Sequence, residues 1–187
     1  MLQLYKSLVR SRVEYSCPLL NPSKVGDIQN IESIQREFTR RIAVMSDLTY
    51  WERLQQLKLQ SLQRRRERYT IIHVWKILHG ICPNDIDMEF KDHQRNGIRV
   101  VIPTLNTKAS KAAITLYDNS FAVKAGRLWN ALPKNVNESS TLEALKMMLG
   151  KFLDAIPDKP PVRGYSTTNN NSLLDWTNQK GELRTAC

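Results

Sequence analysis

The chain has 187 residues, 41 % hydrophobic and 25 % charged, the proportions of an ordinary globular protein able to bury a core. No apolar run approaches the roughly 20 residues a bilayer span needs, and three dispersed cysteines without a CxxC pair argue against a disulfide framework or a zinc site. The net charge is +10 and uneven: residues 1–80 hold 14 Lys and Arg against 7 Asp and Glu, which points to a polyanionic partner for that half, nucleic acid before membrane.

Residues 2–16 read as a helix ending at Pro18. Leu4, Leu8 and Tyr15, widened by Tyr5, Val9 and Val13, form its apolar face, with Lys6, Arg10 and Glu14 opposite. Lys6, Arg10 and Arg12 also interrupt any signal-peptide core, so the chain reads as intracellular, nuclear or cytoplasmic, and not secreted. Arg12 falls inside the apolar arc. Either its stem packs while its head reaches water, or that face meets a phosphate backbone. After a turn at Asn21-Pro22, a helix is expected from about Lys24 to Met45. Its stripe is Ile28, Ile31, Ile34, Phe38, Ile42 and Met45, with solvated pairs Glu32–Arg36 and Glu37–Arg41, which leave Arg40 as a candidate contact.

A short helix follows Ser46-Asp47. Ser61 is the expected N-cap of the next, which runs to His79 and stops at Gly80. The second half of that helix (Ile71, Ile72, Val74, Trp75, Ile77, Leu78) is apolar all round and reads as buried. Its first half carries Arg64, Arg65, Arg66 and Arg68, with Glu67 the only acid among them. A helix N-terminus favours acids, and a misplaced exposed cation there costs about 0.3–1 kcal/mol. The expectation is that this end projects onto a bound polyanion.

Residues 81–118 are less regular. "CPNDIDMEF" suggests a turn and a short helical piece, with Asp85 and Asp87 in a solvated capping turn. "NGIRVVIPTL" suggests a short strand or extended segment. "NSFAVKAGRLWNALPKNV" is a helix with the stripe Phe121, Ala125, Leu128, Trp129 and Leu132, flanked by Lys124 and Arg127 and ended by Pro133. "SSTLEALKMMLGKFLDAIPD" opens with a capping box, Ser140 and Glu143, and carries the stripe Leu142, Leu145, Leu149, Phe152 and Ile156, either core or a partner-helix seam. Beyond Pro157 the composition turns to Pro, Gly, Asn, Ser and Thr, and "SLLDW" is a candidate docking patch in an extended tail. The fold class is therefore all-α: about six amphipathic helices, an irregular middle with short strands as the alternative at 96–118, and a tail. The expected divisions are 1–80, 81–156 and 157–187.

No Gly-rich phosphate loop, GxSxG or HExxH is present, and no cofactor, metal or small-molecule substrate is expected. The order of five stretches is more telling. "LYKSLVRSRVEYSCPLLNP", "DIQNIESIQREFTRRI", "YWERLQQLKLQSLQRRRERYTIIHVWKILHG", "FAVKAGRLWNALP" and "LEALKMMLGKFL" together resemble the C-terminal part of non-LTR retrotransposon reverse transcriptases of the jockey and chicken-repeat type, over roughly residues 2–156. The chain has Leu20 where that family often has Trp. The resemblance implies the thumb and the helical region after it, which grip template–primer duplex and element RNA. The family's catalytic Phe/Tyr-x-Asp-Asp lies upstream on the palm, and this chain has no Asp-Asp pair. It is thus expected to be a non-enzymatic piece, binding RNA or an RNA–DNA duplex through Arg64, Arg65, Arg66, Arg68, Arg40 and Arg12, with a separate palm-containing polymerase chain as a further partner. The competing expectations are a helical protein-interaction module, using the 142–156 seam or the tail, and an inert truncated copy.

Overall fold

The computed structural model describes residues 2–17, 21–22, 24–106, 108–163 and 173. They are mostly helical, with one two-stranded sheet. None of the described helices is long and apolar enough to cross a membrane. The chain forms two compact units. One holds the residues up to Glu67 with the segment from Pro157 that includes Val162 and Leu173, and the other holds Arg68–Ile156. The dividing point thus falls inside a helix rather than at residue 80, and residues 157–163, expected in a flexible tail, belong to the first unit. The rest of "SLLDW" lies outside the described residues.

In the first unit, α1 (Leu2–Leu4) continues through a π-helical stretch, Tyr5–Arg10, into α2 (Ser11–Val13). A π turn is wider than an α turn, so it rotates the residues that follow it. The outcome reverses the expected face. Leu4, Leu8 and Tyr15 are exposed (62 %, 62 % and 78 %), whereas the row expected in solvent turns inward: the Arg10 and Glu14 side chains are only 16 % and 10 % exposed. Tyr5 is buried, stacked on Phe38 with centroids 4.2 Å apart.

Helix α3 (Val25–Arg40) ends earlier than expected, and a 3-10 turn, Ala43–Met45, follows. Its buried face is Ile28, Glu32, Gln35 and Thr39, while Ile34 is 41 % exposed. The spacing is helical, but the inward residues are polar. Nor does Glu37 pair with Arg41: it sits 3.0 Å from Arg40 and 3.7 Å from Arg36. Helix α4 (Tyr50–Gln56) starts from a capping box in which Thr49 and Glu52 satisfy each other's backbone N–H. Its Tyr50 and Leu54 pack with Leu59 and Val162, and Leu2, Trp51 and Leu57 close the cluster.

Helix α5 (Leu62–Leu78) follows Ser61 as expected, and Gly80, at φ +67°, ends it. In the second unit its Ile71, Val74 and Trp75 are buried, and Trp75 Nε1 donates to Ser139 O at 2.9 Å. No helix forms at 81–89. The Asn84 side chain instead donates to Met88 O and accepts from Met88 N, both at 2.9 Å, and holds the loop in a turn. Asp85 and Asp87 are exposed. The strand alternative at 96–118 is realised only in β2 (Gly97–Val100), which pairs with an unexpected strand, β1 (Phe90–His93), Phe90 opposite Val100 and His93 opposite Gly97.

Helix α6 (Lys111–Asn119) was not anticipated; Ser110 caps it. Helix α7 (Phe121–Asn130) buries Ala125, Leu128 and Trp129 as its stripe required. Its Asn130 amide grips both N and O of Val100 at 2.9 Å, extending the sheet edge with a side chain. After the short α8 (Lys134–Asn137), α9 (Leu142–Asp154) starts from Thr141, not Ser140: Thr141 Oγ1 accepts from Ala144 N at 3.1 Å. Leu145, Leu149 and Ile156 are buried, so the 142–156 seam is largely core of this unit and not a free partner surface.

Candidate nucleic-acid interface

The arginine stretch opens α5, whose first backbone N–H groups have no partner within the helix. Two carboxylates from distant sequence meet them. Asp158 accepts from Ser61 N at 2.8 Å and from Ser61 Oγ at 2.6 Å, and Glu32 accepts from Gln63 N at 2.7 Å. Ser61 Oγ accepts from Arg64 N at 3.0 Å. The acids that a helix N-terminus favours are thus present, supplied from α3 and from the segment after α9.

Among these acids the arginines act as fasteners. Arg64 is 2 % exposed; its Nη2 donates to Pro157 O at 2.8 Å and its Nε lies 3.9 Å from Glu67. Arg65 clamps Glu14 with two nitrogens, Nη2 to Oε2 at 2.8 Å. Arg66 is 4 % exposed and donates to Val13 O, the last residue of α2, at 3.1 Å. In the second unit Arg68 donates to Lys146 O at 3.2 Å. Glu67 accepts the backbone N–H of buried Leu173. The expectation that this end of the helix projects into water is therefore corrected. Arg64 and Arg66 are interior, Arg65 is ion-paired and largely covered, and Arg68 is half-buried on a carbonyl. A planar fork that reaches carbonyls and carboxylates in several directions suits this better than a lysine would.

Sequence reasoning missed the polar chain beneath them. Tyr5 Oη donates to Gln35 Oε1 at 2.9 Å, Gln35 Nε2 to Tyr50 Oη at 3.0 Å, and Tyr50 Oη to Glu32 Oε2 at 2.6 Å. Burial pushes the Glu32 carboxyl up to about 7, against the pull of the Tyr50 hydroxyl, the Gln63 N–H and the Arg66 charge. Burial also raises both phenols and lowers Arg66. The available signal was the spacing of Glu32, Gln35 and Thr39, at helical intervals beside Ile28.

Of the six expected contact residues, Arg12 and Arg40 are exposed. Arg40 lies at the end of α3, its side chain 66 % exposed, beside a cleft of about 260 Å³ lined also by Arg36 and Arg53. The exposed described residues of the first unit are Arg12, Lys24, Arg40, Arg41, Lys58, Lys159 and Arg163 among bases, against Asp27, Asp47 and Glu52 among acids. Among the aromatics of the first unit, Tyr15 is exposed, while Trp51 packs on the Tyr50 cluster with Lys159 Nζ 5.6 Å from its ring centroid. Comparison of the chain with protein-family models, curated proteins and solved structures found no match.

Proposed function

We propose that the chain is a nucleic-acid-binding helical module, akin to the thumb and post-thumb region of a non-LTR retrotransposon reverse transcriptase, with no polymerase centre of its own. The observation that carries the reading is the exposed charge of the first unit: among its described residues, seven basic ones against three acidic ones are exposed after the arginine cluster has been used inside the fold. The ordered resemblance of five sequence stretches supports the same class. Contacts of this kind go to phosphates, so they supply affinity and orientation without reading sequence. Arg12 and Arg40 remain the contact residues. Arg64, Arg65 and Arg66 shape the body that presents them.

The test is fluorescence anisotropy of a labelled RNA–DNA hybrid with the wild type and with Arg12→Ala/Arg40→Ala/Arg41→Ala. Loss of about tenfold or more in affinity, at unchanged helical content, is expected from removing three phosphate partners. Absence of binding by the folded wild type overturns the reading. A second reading, a protein-interaction module, rests on the exposed row Leu4, Leu8, Val9 and Tyr15. It predicts a partner whose capture is insensitive to the three surface cations.

A further inference from the structure

We infer that the cleft at the end of α3 is a binding site for a single phosphate group. The inference deepens the nucleic-acid reading and rests on it for the source of the ligand, but the site is argued from its own chemistry. Three guanidinium groups, those of Arg36, Arg40 and Arg53, line a concavity of about 260 Å³, with Ser46 and the acids Glu37 and Asp47 beside them. That is room for one phosphate with its immediate shell.

Arg53 makes this a built site. It is 3 % exposed, an unusual burial for a charged side chain. Its Nε donates to Thr39 Oγ1 at 3.2 Å and its Nη1 to Leu48 O at 2.5 Å. The guanidinium is therefore fixed before any ligand arrives, and Nη2 is left with no hydrogen-bond partner among the described residues. Nη2 is not among the buried unpartnered side-chain atoms, so it meets solvent and can donate to an anion. Arg36 and Arg40 supply adaptable arms. Each lies near Glu37, at 3.7 and 3.0 Å, and Arg36 Nη1 also donates to Arg163 O at 2.5 Å, so Arg40 is the freer arm. Such surface pairs are weak, so a phosphate carrying more charge than one carboxylate takes over the arms at little expense. With three cations against two acids the cleft keeps a positive balance. A planar fork on a rigid base and two movable arms match the oxygens of a phosphate.

The phosphate has two sources, a terminal phosphate on a nucleic-acid end or an internal diester, and the experiment separates them. Inorganic phosphate is titrated into ¹⁵N-labelled full chain at constant ionic strength, chloride making up the difference, while the Arg53 Nε–H resonance is followed. The titration is repeated with Arg36→Ala and Arg40→Ala, and hybrids with a 5′-phosphate and a 5′-hydroxyl are compared as competitors. A saturable shift of Arg53 that weakens about tenfold in either variant supports the site, as expected when one of two or three charge-assisted bonds is lost. Preference for the 5′-phosphate hybrid then assigns it to chain ends, and equal competition by both hybrids assigns it to internal diesters. No saturable shift, or the same shift in both variants, overturns it. If the hybrid still binds in that event, the nucleic-acid reading stands without the cleft. If phosphate binds and neither hybrid does, the cleft stands and that reading falls.

Discussion

Glu32→Gln gives a pH-dependent change in stability whose size follows from the buried position of this carboxyl. Glu32 is fully buried, accepts hydrogen bonds from Tyr50 Oη and Gln63 N, and titrates near 7 instead of 4.5 because burial disfavours its charge. Between those two values the folded chain holds a proton that the unfolded chain has released. Stability from this group is therefore fully present below pH 4.5, is lost as pH rises through the window, and levels off above 7. The slope is about 1.4 kcal/mol per pH unit, so the whole window amounts to about 3 kcal/mol. A glutamine has the same shape and no charge to bury. Urea denaturation of the wild type and the variant at pH 5 and pH 8 isolates the effect, since the other titrating groups are common to both proteins. The variant is expected to lie within about 1 kcal/mol of the wild type at pH 5 and to gain about 2–3 kcal/mol on it by pH 8. The same difference between the two proteins at both pH values would refute the reasoning, and a wild type that gains on the variant with rising pH would show that Arg66 holds Glu32 ionised.

Arg64→Ala removes the partner of Pro157 O and Glu67 in the interior and is expected to cost about 3–5 kcal/mol, read as a fall in urea midpoint, whereas Arg12→Ala or Arg40→Ala changes stability by no more than about 0.5 kcal/mol. A folded, equally stable Arg64→Ala that binds nucleic acid poorly would return Arg64 to the surface role. Gly97→Ala is expected to destabilise the second unit by about 1–3 kcal/mol, measured by the protection of β1 and β2 amides from exchange. Gly97 sits at φ +69°, and an added Cβ would lie 2.4 Å from Asn137 Oδ1.

The parts of this fold that the sequence made legible are those in which local chemistry and packing agree. Ser61 before α5, Gly80 after it, and the stripe of α7 each combine a propensity signal with an apolar face; of the hairpin only β2 was legible, from the short apolar run after Asn96-Gly97, and its partner β1 was not. The N-terminal helices were misread because an apolar stripe was taken to mean the inward face. In this unit the inward face of α3 is Glu32, Gln35 and Thr39, polar because Tyr50, the N-terminus of α5 and Arg53 require partners there. Those partners stand between 14 and 31 residues away, a distance over which helical periodicity carries no information. The π stretch, Tyr5–Arg10, compounded the error by shifting the phase of the residues within and after it, Leu8 and Tyr15 among them. Helix α6 went unseen because its larger apolar residues, Ile114 and Leu116, are exposed and form no buried stripe. The arginine cluster was located correctly and given the wrong surroundings: charge is visible in a sequence, but the groups that hold it, Glu14, Val13 O and Pro157 O, come from remote segments.

The central claim is that the exposed cations of the first unit, and not the arginines at the head of α5, hold phosphate. The salt dependence of hybrid binding tests it most directly, measured for the wild type and for Arg12→Ala/Arg40→Ala/Arg41→Ala. Each lost phosphate contact flattens the slope of log K against log salt by about 0.7–0.9, so the variant is expected to be shallower than the wild type by about 2. A wild type that binds with the same slope as the variant would contradict the claim.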